Sequence, residues 1–504
     1  MQDWLSTAIS VLVILLIIGF SLRRFSGKSG NKHALKTTNS PASEPSGGSS
    51  DILSSNEPPA ENKHIIPRSE HPISRKQISD NALKVLHRLN SHGYDAYLVG
   101  GCIRDLYLGL HPKDFDVTTN ATPEQVRRLF RNSRLIGRRF KLVHILFGRE
   151  TIEVATFRAS HNADPKSNSR CHSHHSESGR ILRDNVYGSM EEDAERRDFT
   201  INALYYDSRD FSVINHCCGV ADIHQKQLRL IGDPVRRYHE DPVRMLRAIR
   251  FTAKLNFTMA QETSDPILDL GHLLQDIPSA RLFDEILKLL QSGYGVKTFK
   301  LLREFHLLEY LFPATHSCLE EDSPHFLALI HEALISTDKR VKRNRPVTPA
   351  FLYAALLWTP MQRMTSELKS QGVPPIPASQ QAAMTVLQQQ AGHTAIPKRF
   401  TIAIREIWDL QGRLERRQPK AIESLLDHPK FRAAYDFLIL REQSGEQLDN
   451  AGQWWTDIQE TIDPDRHAMI QSLRHNNTGK KGSGNKRRRR RKPKNNKPQG
   501  ESVA

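Results

Sequence analysis

"LVGGCIRDLYLGLHPKDFDVTT", from Leu98 to Thr119, decides the fold. An apolar run meets a glycine pair, Arg104-Asp105 follows, and Asp114 and Asp116 come a dozen residues later. "DAYLVGG" (Asp95–Gly101) reads as a strand entering a glycine turn, and "FDVTT" as a second strand. Without a Cβ, Gly100 and Gly101 let backbone N–H groups approach a phosphate. Asp114 and Asp116, two apart on a strand, share one face while Phe115 and Val117 take the other. That spacing suits two carboxylates holding one or two Mg²⁺ ions, with substrate phosphate oxygens completing the octahedron. Alone, a glycine pair is usually only a turn, and a bare Asp-x-Asp arises by chance roughly once or twice in a chain this long. The combination is what carries chemistry.

Outward from this stretch the signals alternate. "SRKQISDNALKVLHRLNSHG" (Ser74–Gly93) reads as a helix, with Ile78, Leu83, Val85, Leu86 and Leu89 at near-helical spacing and Gly93 as its stop. "TPEQVRRLF" offers Thr122 as N-cap with proline next. "KLVHILFG" and "TIEVATFR" read as strands joined at Gly148–Glu150. On the second, Glu153 faces away from Ile152 and Val154, so a third acid is available. In "RRDFTINALYYD" (Arg196–Asp207), Ile201, Leu204 and Tyr205 suggest a helical face. That pattern puts Arg197-Asp198 at a helix start, set to meet an anion and an ion. "HEDPVRMLRAIRF" (His239–Phe251) gives Asp241 as N-cap and Pro242 at the first helical position. Met245, Leu246, Ile249 and Ala253 share one face of that helix. Arg244 and Arg247 share the opposite one, which with Asp241 suits a nucleobase edge and a triphosphate. From about Pro234 onward almost every pattern is helical, so a mixed α/β head precedes an all-α body.

The 504 residues carry a net charge of +16. From Arg474 to Ala504 there are 12 Lys/Arg and one acid, so +11 of that charge sits in the last 31 residues. A basic tail points to a polyanion. "NKRRRRRKPKNNK" (Asn485–Lys497) has no interleaved aromatics and should grip phosphates rather than stack on bases. Five irregularly spaced cysteines with no CxxC pair argue for a reducing compartment and against structural zinc. Cys171–His175, "CHSHH", reads as a solvated polar loop rather than a metal site. No Ser/His or Cys/His nucleophile set stands out, nor a histidine-aspartate phosphohydrolase pattern in the helical half.

Ala8–Leu22 is almost wholly apolar, with Arg23, Arg24 and Lys28 behind it. A signal peptide carries its positive charge ahead of such a run. With its flanks the run approaches the roughly 20 residues of a bilayer span, and positive-inside logic keeps the chain after Arg23 in the cytoplasm. The other reading is an upstream start codon that is not used, leaving no anchor. Residues 26–64 are polar and rich in Ser, Asn, Pro and Gly, a disordered linker by composition.

LVGG-x-x-RD, DFDVTT, EVATFR, RRDFTIN and EDPVRMLRAIRF, in this order and spacing, resemble the class II nucleotidyltransferases, the poly(A) polymerases and CCA-adding enzymes. Leu135–Gly148, Lys113–Asn132 and His428–Arg441 resemble the poly(A) polymerase branch. The likeness spans roughly residues 65–460. It departs at the N-terminal apolar run and in the loop Ser160–Arg180.

The resemblance implies an α/β nucleotidyltransferase head at 65–232, a helical neck at 233–312 and a helical, RNA-binding body and leg at 313–470. The apolar segment 1–25, the linker 26–64 and a disordered basic tail at 471–504 complete the chain. It implies that Asp114 and Asp116 hold two Mg²⁺ ions and that Asp198 is the third acid of the site. Glu153 would brace the metal site or the attacking primer end. Gly100, Gly101, Arg104, Arg197, Arg244 and Arg247 would bind the triphosphate and base, with Asp241 helping to read the base. The implied reaction is template-independent extension of RNA 3′ ends from ATP, releasing pyrophosphate, in mRNA processing and decay. RNA rather than DNA is the expected partner, in the cytoplasm or at the cytoplasmic face of the membrane. The nearest rival is CCA addition to tRNA. A rival of another class is a catalytically silent, membrane-tethered RNA-binding protein, against which the intact Asp114, Asp116 and Asp198 argue.

Overall fold

The computed structural model describes residues 64–137, 141–159, 174–175, 181–183, 186–321 and 324–479. The apolar N-terminal segment, the linker up to its last residue, Cys171, most of the loop at 160–180 and the basic tail beyond 479 lie outside them. None of the described helices is long and apolar enough to cross a membrane.

Eight strands form the main sheet: β1 (His64–Ile66), β2 (Ala96–Val99), β3 (Asp116–Thr119), β4 (Ser133–Ile136), β5 (Leu142–Phe147), β6 (Glu150–Thr156), β7 (Leu204–Tyr206) and β8 (Val213–Asn215). Their order is β1-β8-β7-β2-β3-β6-β5-β4. Only β3 and β6 run parallel; every other neighbouring pair is antiparallel. The strict alternation of side chains sorts the sheet into two faces. Leu98, Val117, Val154, Val143 and Tyr206 stand on one face and belong to the large core. On the other, register lines up Tyr205, Val99, Asp116, Glu153 and His144 as a row across five strands.

The core face is covered by α1 (Asp80–Ser91), capped by Ser79, and by α3 (Pro123–Leu129). The latter begins with a full capping box between Thr122 and Gln125. The helix expected from Ser74 starts only at Asp80, because Ser74 caps a separate 3-10 turn at Arg75–Gln77. A short helix, α2 (Gly101–Tyr107), leaves the glycine turn. Helix α4 (Met190–Glu195) covers part of the opposite face through Met190 and Ala194, packed with Tyr97, Val99 and Tyr205.

Two expectations are corrected. Residues after Arg197-Asp198 do not form a helix: Thr200–Asn202 is one 3-10 turn, and Leu204 and Tyr205 belong to β7. The strand lies inside the sheet and is buried on both faces, so its run of apolar residues imitates a helical pattern. Asp114 precedes β3 rather than lying on it, in an exposed approach to the strand.

Beyond β8 the described residues are mostly helical, with a parallel pairing of Gln227–Leu228 with Thr258–Met259 and a bridge from Leu230 to Phe199. Helices α5 (Gly219–Gln225), α6 (Pro234–Glu240) and α7 (Val243–Leu255) lead from the sheet into the helical half. Later come α8 (Pro324–Lys342), α9 (Pro349–Leu356), α10 (Lys398–Arg416), α11 (Phe431–Gln443) and α12 (Ala451–Glu460), among other helices. One hydrophobic core runs from Ile66 to Leu440, through Met245, Leu246 and Ile249 of α7. A second gathers around Trp455. Beside the first lies Arg441, only 1% exposed. It donates to Gln411 (2.9 Å), Glu415 (2.6 Å) and Glu446 (2.8 and 2.5 Å) and stacks over Trp358.

Candidate active site

A cleft of about 390 Å³ opens on the sheet face that carries the polar row. Its floor includes Val99, Asp116, Glu153 and Ala155. Asp116 and Glu153 are register partners on the parallel strands β3 and β6. Burial pushes the Asp116 carboxyl up to about 6, and the charges of Glu153 and Asp114 add to the rise while Arg197 opposes it. Glu153 reaches His144 Nε2 at 3.1 Å. Three carboxylates are thus gathered where one is disfavoured as an anion, an arrangement that a cation relieves.

The opposite wall is built by arginines. Arg158, Arg196, Arg197, Arg244 and Arg247 line the cleft. Arg197 follows α4 and is held from behind: it donates to Asp193 (2.9 and 3.3 Å) and to the Tyr205 hydroxyl (3.1 Å), which itself donates to Asp193 (2.9 Å). Burial works against its charge, yet Tyr205 and Asp193 hold its pKa above the ordinary value. Arg244 donates to Glu240 (2.9 Å) and to the Arg237 carbonyl (2.6 Å). Arg237 in turn donates to the carbonyls of Arg196 and Arg197, both at 2.6 Å, fixing the Arg-Arg-Asp segment to α6. Burial and the neighbouring Arg244 depress Arg237 to about 10. So many guanidinium groups around one opening favour an anion.

Asp198 sits on the same wall, but its oxygens are occupied. Oδ2 accepts from Arg247 Nε (2.7 Å) and Nη2 (2.5 Å), while Oδ1 accepts from Phe199 N (2.8 Å) and Asn202 Nδ2 (3.0 Å). Burial raises its pKa, but Arg247 and these donors outweigh it and hold the carboxyl well below the usual range. Asp241 ends α6 and is not the expected N-cap: α7 starts at Val243 with Pro242 as its cap residue, one position later than the Asp-Pro pattern suggests. One Asp241 oxygen still accepts from Val243 N at 3.3 Å, and the other accepts from Arg281 at 2.7 Å.

Gly100 has φ +79°, which only glycine adopts without strain, and an added Cβ would stand 3.5 Å from Arg197 Nη1. The turn therefore brings β2 directly against the arginine wall. Arg104 does not face the cleft. It is 3% exposed and donates to Asp105 (2.8 and 2.6 Å) and Asn202 (2.6 Å). Its guanidinium, with those of Arg247 and Arg250, lies about the ring of Phe251 at 5.0, 5.5 and 4.9 Å. Phe251 stands edge-on to Phe199, so one ring joins the glycine turn, the Arg-Arg-Asp segment and α7.

Asp116, Glu153, Arg197, Asp198, Asp241, Arg244 and Arg247 thus meet around one cleft. Asp114 stands at its approach, while Gly100 and Gly101 follow Val99 out of it. Reading the sequence missed the supporting residues Asp193, Tyr205, Arg237, Glu240 and Arg281. Asp193 precedes Arg197 by four residues, a helical pairing distance that was a usable signal. Arg281 had none, since it comes from a distant helix. Among the described residues no group of three or more His, Cys, Asp or Glu side chains is arranged to hold a metal ion. Asp116 and its neighbours still fit Mg²⁺, which takes one or two carboxylates and completes its shell with substrate phosphates and water.

The chain is similar to known proteins in sequence and fold. Residues 96–229 match the family described as "Poly A polymerase head domain", residues 256–319 "Probable RNA and SrmB- binding site of polymerase A", and residues 371–495 "Polymerase A arginine-rich C-terminus". Poly(A) polymerase I of Salmonella typhi is 52% identical over 413 residues, covering 81% of this chain and 88% of that protein. The CCA-adding enzyme of Lactobacillus helveticus is more distant, 36% identical over 228 residues, with 45% and 54% covered. In fold, the chain is similar to the Thermotoga maritima CCA-adding enzyme complexed with tRNA (TM-score 0.51, 16% identity, 82% and 85% covered).

Proposed function

Since the chain belongs to the poly(A) polymerase family and is a polynucleotide adenylyltransferase, extending RNA 3′ ends from ATP without a template, we propose that the cleft between Asp116 and Asp241 is where that transfer occurs. One observation carries the assignment: the Asp116–Glu153 register pair and the arginines of the Arg-Arg-Asp segment and α7 face each other across a single opening.

The RNA 3′-hydroxyl attacks the α-phosphate of ATP in line, and pyrophosphate leaves; no covalent enzyme intermediate is required. Asp114 and Asp116, with Glu153 alongside, would hold two Mg²⁺ ions, whose Lewis acidity would lower the hydroxyl's pKa and neutralise the leaving group. Gly100 and Gly101 let the backbone approach the triphosphate, and Arg197, stiffened by Asp193 and Tyr205, meets its negative charge. Arg244 and Asp241, each fixed by a partner behind it, present a donor and an acceptor to the base edge. Asp198 serves as the anchor that aims Arg247, and Arg104 as the brace beneath the glycine turn.

This enzyme works on RNA in processing and decay in the cytoplasm, a setting that suits the free thiols of Cys102, Cys217, Cys218 and Cys318. The CCA-adding alternative shares the cleft but is carried by the more distant relatives. The test is to incubate the purified chain with Mg²⁺, unrelated RNAs and each labelled nucleoside triphosphate in turn. Long tails from ATP, with CTP poorly used, are expected. Addition of only C, C and A, confined to tRNA, would overturn the assignment.

A further inference from the structure

In the helical half, a groove of about 680 Å³ lies between the end of α8, the loop into α9, and the start of α11. Lys339, Arg340, Arg343, Arg345, Lys430 and Arg432 line it, against one acid, Asp436. Arg432 pairs with Asp436 at 3.0 Å, and Arg340 donates to the Pro346 carbonyl at 3.1 and 3.0 Å. Lys339, Arg343, Arg345 and Lys430 have no side-chain partner among the described residues. Four like charges around one concavity, whose only acid is already paired with Arg432, give it a positive potential that favours an anion. Between them lies an apolar floor with the partly exposed ring of Phe351 and the side chains of Ile439 and Leu440.

We propose that this groove binds the sugar–phosphate backbone of single-stranded RNA upstream of the 3′ end being extended. The proposal rests on the polymerase assignment for its ligand. Cationic walls along an apolar, aromatic-bearing floor are how sequence-indifferent single-strand grooves are built. The groove shares no lining residue with the catalytic cleft. It therefore acts only on an RNA long enough to reach both. Short primers engage the cleft alone. Longer ones gain the second site as an intramolecular event, which strengthens binding without altering the chemistry.

The test replaces the four unpartnered cations together (Lys339→Gln, Arg343→Gln, Arg345→Gln and Lys430→Gln) in the full chain. KM and kcat are measured for single-stranded RNAs of graded length at several salt concentrations, with filter binding in parallel. For long RNAs, KM should rise at least tenfold at low salt, kcat should hold, and the log–log salt slope should flatten by about 3, at roughly 0.7 for each phosphate no longer neutralised. For the shortest primer that is still extended, KM should not change. An unchanged KM and slope at every length would overturn the proposal and leave the groove to another partner, such as an acidic protein. An equal rise at every length would also overturn it, because the groove would then act on the cleft itself. Failure of the wild-type chain to add adenylate would instead sink the polymerase assignment, while filter binding would still judge the groove.

Discussion

Replacing Asp198 by asparagine separates an anchor from a metal ligand. The substitution keeps the shape and removes the charge. One carboxylate oxygen now receives both Arg247 nitrogens, at 2.7 and 2.5 Å, and an amide can offer Arg247 at best one neutral acceptor. Removing one member of a buried pair costs about 3–5 kcal/mol. The Arg247 side chain is 32% exposed and regains some water, so the lower end, about 3 kcal/mol, applies. At roughly 2–4 °C per kcal/mol for chains of 150–250 residues, and less for one this long, the melting temperature should fall by several degrees. The pH dependence has a definite sign. Asp198 is held below its unfolded value of about 3.9, so the pair's contribution is fully present above that pH and is lost as pH falls further. Wild type and variant should therefore differ most near neutrality and converge in acid. KM for ATP should rise while the Mg²⁺ requirement stays put. Arg247→Gln should cost a similar amount, with the double variant little worse than either, a coupling of at least ~1 kcal/mol. Thermal melts, a Mg²⁺ titration and that cycle decide the matter. A variant that melts like wild type but needs more Mg²⁺ would refute the anchor and make Asp198 a metal ligand.

Asp116→Asn should lower turnover on the order of 10³-fold, as loss of a charge that steadies the transition state does, yet leave melting unchanged or raised. The sign follows from its raised pKa: the ionised carboxylate is disfavoured in the folded chain, and asparagine removes that cost. In the wild type, apparent Mg²⁺ affinity should weaken about tenfold per pH unit below about 6, because one proton competes for the site. Phe251→Leu takes the ring from three guanidinium groups at roughly 0.5–1 kcal/mol each, so a melting loss with a raised KM for ATP is expected. Deleting Lys480–Ala504 removes 11 Lys/Arg, so KM for RNA should rise regardless of sequence while kcat holds. A fall in kcat with KM intact would show that the tail does not grip RNA.

The glycine turn, the β5–β6 hairpin, the capped α3 and the acid on β6 were legible because each is written in local spacing and turn chemistry. Arg197 and Asp198 line the cleft, but from a segment before a 3-10 turn and a strand rather than from the expected helix start. Leu204-Tyr205-Tyr206 is buried on both faces, and a fully buried strand has no period of two to betray it. Arg104 was legible as important but not as a brace, since its partner Asn202 lies 98 residues away. The same limit hid Arg281 behind Asp241. Residue type shows what a side chain can do. Which neighbours it meets is settled by the packing of α7 against the sheet, and no local pattern contains that.

The sheet's order also sets a timetable for synthesis. Strand β2 has β7 as one neighbour, and β1 has only β8, the last strand of the main sheet to be made. On a ribosome adding roughly 5–20 residues per second, β8 emerges about 8–30 s after β1. Strand β7 follows β2 by a shorter span, about 5–20 s, and until it arrives the edge of β2 has unpaired amide and carbonyl groups open to any passing strand. The newborn chain is thus most prone to aggregate before residue 215 has been translated. Cooling the culture or supplying a holding chaperone during that window should raise the soluble yield more than any change to the finished protein's surface.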